Sequence, residues 1–396
     1  MSAISNYKTN FVDMLCVFMF MYTALFMVDN SALNQQFLWI AVPLMFLYAF
    51  YKRILEGISL DIYEKRLLSL FLWMTFTIIV SIDYSASFTE LKICWGAFVM
   101  IFVIRYLMSR KNTIGFIYFV YVLYLLDLLI YAQNHFIDVD ITSQRAGDDS
   151  VNANLYGYIL FFFNASVFFL GELSRGLIKK FFRLLYFSVV PISIYLGLLT
   201  ASRQIMMINI PFFVMLCCIR YRLLKSRNLL VAVVVCLSLL FLYGDYLLDL
   251  YNNSLLKART EGAIEEDNRF FLLKNAIVVG INHPIFGVGP NCFAVINHGM
   301  SHNSYAEIFA NAGIPGLLMY TSLLGVFIRR QFIRYRQTMD STFLVFFVFG
   351  IIYAFYNFFY VFYRAPWLIM FFVIVSSHSE MYYKREMQIS SANKIK

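Results

Sequence analysis

The residues best suited to chemistry are arginines and one histidine, each held in a short polar segment beside an apolar run. Arg203 lies in Thr200-Ala201-Ser202-Arg203-Gln204, a connection of only a few residues between two such runs. A guanidinium is a planar fork of donors that matches phosphate oxygens and stays charged. The competing reading is a side chain that snorkels to lipid headgroups. Arg145 precedes Asn152 and Asn154 in Gln144-Arg145-Ala146-Gly147 … Val151-Asn152-Ala153-Asn154, where the asparagines could equally cap the following helix. Arg269 opens segment 268–281, which is apolar enough for an amphipathic helix, and could instead pair with Asp267 or Glu266.

His302 lies in Ser301-His302-Asn303-Ser304-Tyr305, two residues before a helix start. That start is read from Ser304-Tyr305-Ala306-Glu307, which has capping-box spacing. A helix N-terminus disfavours a protonated imidazole and so keeps His302 neutral, the form a general base needs. The same helix end could help bind an anion. The competing reading is a surface or capping histidine. His283, His298, His135 and His378 are weaker candidates, and Glu307 reads as a cap. Asp13 and Asp127 fall inside apolar runs, where acids are functional candidates by default but can also bond neighbouring helices.

Other chemistries lack their signatures. No Walker A loop, HExxH, GxSxG or dinucleotide fingerprint occurs, and Gly287-Val288-Gly289 lacks the third glycine. The six cysteines form no CxxC pair and no metal-ligand spacing. Five fall in or beside apolar runs, and Cys292 sits in a long polar loop, so no disulfide is expected within that loop.

The elements that must position these groups are membrane spans. The 396 residues are 61% apolar and 14% charged, with a mean hydropathy of +0.69. Soluble domains carry about 25% charged residues. Apolar runs lie near 11–28, 36–51, 67–82, 91–108, 113–132, 153–171, 184–200, 204–219, 228–247, 314–328, 342–362 and 365–378. A span needs about 20 residues, or as few as about 17. The expectation is therefore an all-α polytopic membrane protein with about 12 transmembrane helices, forming a single domain over 1–396. The first run is long enough to stay as a span, and no cleavable signal pattern precedes it.

Loop charges set the orientation. Basic clusters follow every second run: Lys52, Arg53, Lys65 and Arg66; Arg105, Arg110 and Lys111; Arg175, Lys179, Lys180 and Arg183. The series continues with Arg220, Arg222, Lys225 and Arg227; Arg329, Arg330, Arg334 and Arg336; Lys384, Arg385, Lys394 and Lys396. With twelve spans all lie on one side, together with Lys8. Basic loops are cytoplasmic, so both termini are expected there. The net charge of +9 is then a topology signal, and no nucleic-acid partner is expected. Lys92, Arg145, Arg203, Lys257, Arg259, Arg269, Lys274 and Arg364 fall outside, among acidic residues such as Asp138, Asp148, Glu261 and Glu265. Arginines on that face suggest an anionic partner. Two outer loops are long, 133–152 and 248–303. Loops of this size are usually functional. The second is a large, partly helical extracytoplasmic insertion between spans nine and ten. Gly287 and Gly289 mark a turn after His283-Pro284. The helix from Ser304 should stop near Gly313, and Pro315 suits the first turn of a new one.

In order and spacing, these pieces resemble the bacterial O-antigen ligase and polysaccharide-polymerase superfamily over roughly 140–330. The resemblance rests on the Ser202-Arg203 turn, Arg145 with Asn152-Ala153-Asn154, and Arg269 with its helix. It rests also on His283-Pro284-Ile285-Phe286-Gly287-Val288-Gly289 and on Ser301-His302-Asn303-Ser304-Tyr305 through Gly313. Arg364-Ala365-Pro366 looks like the family too. Asn152-Ala153-Asn154 departs from the more frequent Asn-Pro-Asn, which weakens the assignment of those asparagines.

The resemblance implies a metal-independent glycosyltransferase without a cofactor, in the bacterial inner membrane, with its active site on the extracytoplasmic face. The donor would be a glycan on a polyprenyl pyrophosphate, and the acceptor another glycan or lipid-linked sugar. Arg203, with Arg269 or Arg145, would bind the pyrophosphate and stabilise charge on the leaving group. His302 would take the acceptor's proton. Ser202, Asn303, Tyr305, Arg364, Asn152 and Asn154 would contact substrate. The first expectation is a polymerase of lipid-linked repeat units for O-antigen, capsule or exopolysaccharide, working with membrane lipids, a flippase and a chain-length regulator. The second is a ligase moving the finished glycan to a lipid A core. A lipid-linked sugar flippase is the rival of another class, though no internal repeat is seen.

Overall fold

The computed structural model describes residues 11–16, 32–110, 113–136, 155–221 and 268–393, with scattered positions between 238 and 257. The regular structure of these residues is helical, with no strand among them. The helices are α1 (Ala32–Leu55), α2 (Ile62–Phe76), α3 (Tyr84–Met108), α4 (Thr113–Phe136), α5 (Leu155–Leu173), α6 (Gly176–Phe187) and α7 (Val189–Leu199). They continue with α8 (Ile210–Tyr221), α9 (Asn268–Asn282), α10 (Cys292–Ile296), α11 (Ser304–Thr338), α12 (Ser341–Tyr356) and α13 (Pro366–Asn393). Among the described residues, four stretches are long and apolar enough to cross a membrane: Tyr84–Met108, Tyr156–Leu173, Gly176–Leu199 and Ser304–Thr338. Thr113–Leu123, Ile205–Arg220 and Ser341–Tyr356 are shorter apolar helices. The runs near 11–28 and 228–247 fall largely outside the described residues, and the count of twelve goes beyond these helices.

The chain divides into two compact units, Met1–Ile114 with Ile264–Lys396, and Gly115–Ala263. In the first, α11 packs on α2, α9 and α12, while α3 packs on α13. One end of this unit is held by buried charge. Arg53 grips Glu64 through two bonds, 2.6 and 3.0 Å, and its guanidinium lies 4.1 Å from the Phe102 ring. Glu64 also closes the capping box at the start of α2, where the Asp61 side chain accepts from Tyr63 and Glu64 N–H. Asp13 accepts from Tyr106 (2.8 Å) and Tyr48 (3.1 Å) and lies 3.7 Å from Arg110. This acid of an apolar run thus ties helices together. The side chain of Asp127 lies outside the described residues.

In the second unit aromatic rings fill the core. Phe161 meets Phe212 at 4.9 Å between centroids, and Tyr186 stacks on Phe213 at 4.7 Å. The stretch read as a loop with Arg175, Lys179, Lys180 and Arg183 is largely α6, an amphipathic helix. Phe182 and Tyr186 point inward from it, and Leu177, Phe181 and Leu184 outward. Its bases share one flank, which lets an apolar helix form in a basic segment.

Candidate active site

Arg203 follows a turn that the backbone closes tightly. α7 ends at Leu199, and Ala201 N–H bonds Leu198 O (3.2 Å) while Ser202 N–H bonds Gly197 O (3.1 Å). This pair of hydrogen bonds is the Schellman pattern, in which the residue at the position of Ala201 takes a left-handed conformation, usually as glycine. Ala201 adopts it with φ 47°. Ala201 and Ser202 are buried and Arg203 is half-buried. The chain re-enters as a π-helical turn, Ile205–Asn209. Asn209 donates to Gly157 O (3.1 Å) and its carbonyl accepts from Asn164 (3.4 Å), which fixes the turn to α5. Such π-bulges recur at functional sites.

In the first unit the His283–Gly289 segment is folded onto a break in α11. Gly313 is non-helical at φ 69°, and Pro315 has no N–H, so carbonyls before the break need other donors. Val288 N–H bonds Ala310 O (2.9 Å), Gly289 N–H bonds Asn311 O (3.1 Å), and Trp73 Nε1 bonds Ala312 O (2.8 Å). Ile314 N–H returns to Pro284 O at 2.7 Å. A Cβ on Gly313 would lie 2.3 Å from Ile285 O, and one on Gly287 would lie 2.4 Å from the Asn311 carbonyl carbon. The break expected at Gly313 is therefore real, and the glycine-bearing loop is its complement. Cys292, read as part of a polar loop, is buried, with Sγ 3.2 Å from Ser81 Oγ.

His302 stands at the start of the same helix, in a left-handed conformation with φ 54°. Both neighbours are pinned. Ser301 N–H bonds Glu307 Oε2 (2.7 Å), and Ser301 Oγ bonds Asn303 O (3.0 Å). Asn303 caps the helix, accepting from Tyr305 and Ala306 N–H at 3.0 Å each. The cap thus lies one residue before Ser304, because Glu307 reaches back to Ser301 and the Ser304 hydroxyl is used elsewhere. It donates to Tyr360 O and accepts from Phe362 N–H, both at 2.8 Å. His302 itself is half-buried.

Other candidates fall into place around this loop. Asn303 is spent on capping and on Phe358 O, and Tyr305 donates to Ala354 O (2.8 Å). Arg269 lies in the first turn of α9, half-buried. It is three and four residues before Leu272 and Leu273, so it shares their face. A Cβ on Gly299 would lie 3.5 Å from Leu272 Cδ1, and Leu273 packs against Ala276, Phe293, Ala306 and Ala310. That register brings the first turn of α9 to the end of the unit where the His302 loop runs. Arg364 Nε lies 2.8 Å from Glu90 Oε2, and its Nη1 lies 3.8 Å from Glu307 Oε1. Burial opposes the Arg364 cation, but Glu90, Tyr363 and Glu307 hold its pKa above the ordinary guanidinium value. Arg203 belongs to the other unit, and Arg145, Asn152 and Asn154 lie outside the described residues.

Glu90 is the residue that sequence reading missed. Its signal was available: a carboxylate in the second turn of a helix long and apolar enough to cross a membrane, a position that calls for a cationic partner.

Residues 187–321 match a family model described as O-Antigen ligase. No curated protein matches the chain.

Proposed function

We propose that this chain, whose residues 187–321 match the O-antigen ligase family model, is a membrane enzyme that acts as a polymerase of lipid-linked glycan repeat units. What supports a transferase of lipid-linked glycans, the part of the reading common to polymerase and ligase, is the extent of the matched segment. It contains the Ser202-Arg203 turn, α9 with Arg269, the His283–Gly289 segment and the His302 loop. In this proposal the donor glycan is held by its polyprenyl pyrophosphate at the extracytoplasmic face of the bacterial inner membrane. Arg203 and a second arginine, Arg269 or Arg145, bind the pyrophosphate. They stabilise the negative charge that grows on it as the glycosidic bond breaks. His302 takes the proton of the acceptor hydroxyl, and one displacement inverts the anomeric carbon. No metal or cofactor takes part. Ser202, Asn303 and Tyr305 shape the turns that carry the reacting groups.

A second reading, which the family match supports equally, is a ligase that moves the finished glycan to a lipid A core or similar acceptor. The match lends the transport reading no support. The lipid-linked glycan pool of a strain lacking the gene tests the choice. Single repeat units accumulating on the carrier, without long chains, support the polymerase. Long chains stranded on the carrier support the ligase and overturn the first reading.

A further inference from the structure

Arg364 faces two carboxylates, Glu90 at 2.8 Å and Glu307 at 3.8 Å, and both acids are fully buried. Two acids buried on one guanidinium would leave a charge in excess if both were ionised, and a fold retains such a charge only at a cost. Among the described residues Glu90 Oε1, Glu307 Oε1 and Arg364 Nη1 make no hydrogen bond. Such incompletely satisfied buried groups call for an explanation, and a functional one lies next to them. The second oxygen of Glu307 accepts the N–H of Ser301, the residue before His302. On the other side of His302, Ser304 N–H bonds Asn357 O (2.8 Å), and its hydroxyl bridges Tyr360 O and Phe362 N–H. That segment runs directly into Arg364. The histidine loop and the arginine turn are therefore clamped together twice, once by backbone bonds and once by charge.

We propose that Glu307, braced by Arg364 and Glu90, is a positioning residue that holds His302 in its left-handed conformation. Arg364 then acts by holding Glu307 and not by touching the donor. This inference rests on the functional reading above. A left-handed backbone at a residue other than glycine costs free energy and persists only where its surroundings over-determine it. The Ser301–Glu307 bond is one such constraint. It depends on Glu307 staying fixed, which Arg364 provides.

The test uses the full chain in liposomes with a lipid-linked repeat unit, scored as initial rates per folded protein. Glu307→Gln keeps an oxygen able to accept from Ser301 but removes the charge that holds Arg364. The expected result is a fall in kcat of about 10²-fold with the donor KM unchanged, the size of loss that a small misplacement causes. Arg364→Gln should show the same loss, and the double variant should be no worse than either alone, because the residues act as a unit. Arg364→Lys, which keeps the charge, should recover most of the rate. Wild-type kcat in Glu307→Gln, or a loss in Arg364→Gln that falls on donor KM, overturns the proposal. Wild-type protein that transfers no glycan faults the functional reading instead.

Discussion

Glu307 accepts the backbone N–H of Ser301 at 2.7 Å, so a side chain on the first turn of α11 fixes the residue immediately before His302. The catalytic candidate is thereby set by the helix that follows it, with Asn303 capping that helix from the other side. The helix itself is broken nine residues beyond Ser304 at Gly313, where the His283–Gly289 segment supplies the missing donors.

That complementarity leaves no room at the break. Gly313→Ala puts a methyl 2.3 Å from Ile285 O, in a conformation that L side chains avoid. The expected outcome is a loss of about 1–3 kcal/mol of stability and a sharp fall in glycan extension. Thermal unfolding in detergent and glycan length in cells check it. Wild-type behaviour in both would show that the loop does not depend on the break.

Ala201 is expected to respond in the opposite direction. It takes the left-handed position of a Schellman turn, at φ 47°, and glycine fits there without a Cβ penalty. Ala201→Gly should raise stability by up to about 1 kcal/mol, since relief of strain outweighs the entropy of glycine. Activity should persist, because the Ser202-Arg203 turn is unchanged. A lower melting temperature would contradict the cap geometry.

At the far end of the first unit, Glu64 and Arg53 form a buried two-bond pair. Glu64→Ala leaves an uncompensated buried arginine and removes half of a capping box. A loss of about 3–5 kcal/mol is expected, read as a drop in the melting temperature of the purified protein. Arg53→Met with Glu64→Leu should restore much of it, because replacing both members of a buried pair is often neutral.

Arg203 is predicted to be irreplaceable by lysine. A point charge does not reproduce a two-pronged grip on phosphate oxygens. Arg203→Lys should lower extension by about 10²–10³-fold, comparable with removing one donor to a developing oxyanion. Glycan length at equal membrane levels of the two proteins measures it, and an unchanged length would assign Arg203 to lipid headgroups.

Local signals made much of this legible in the sequence. The start of α9 at Asn268, the helix beginning at Ser304, the break at Gly313 and the turn after Pro284 are all written in short stretches of capping residues, glycine and proline. The exact cap was misread by one residue. Asn303 and Ser304 are both good caps, and only the bonds of Ser304 to Tyr360 and Phe362 decide between them. That Glu90, Arg364 and Glu307 meet in one cluster was not legible. Its members are far apart in the chain, and nothing local to Glu307 tells a helix cap from a carboxylate that also faces an arginine. Asp13 illustrates the same limit, because its partners Tyr48, Tyr106 and Arg110 belong to later segments.

The central claim is that His302 takes the proton of the acceptor hydroxyl during transfer from a lipid-linked donor. The direct measurement is glycan extension by purified protein in liposomes containing a lipid-linked repeat unit, with wild type and His302→Ala compared at equal amounts of folded protein. The account predicts that wild type extends the glycan, with EDTA making no difference, and that His302→Ala binds the donor without extending it. Extension by His302→Ala at the wild-type rate would contradict it.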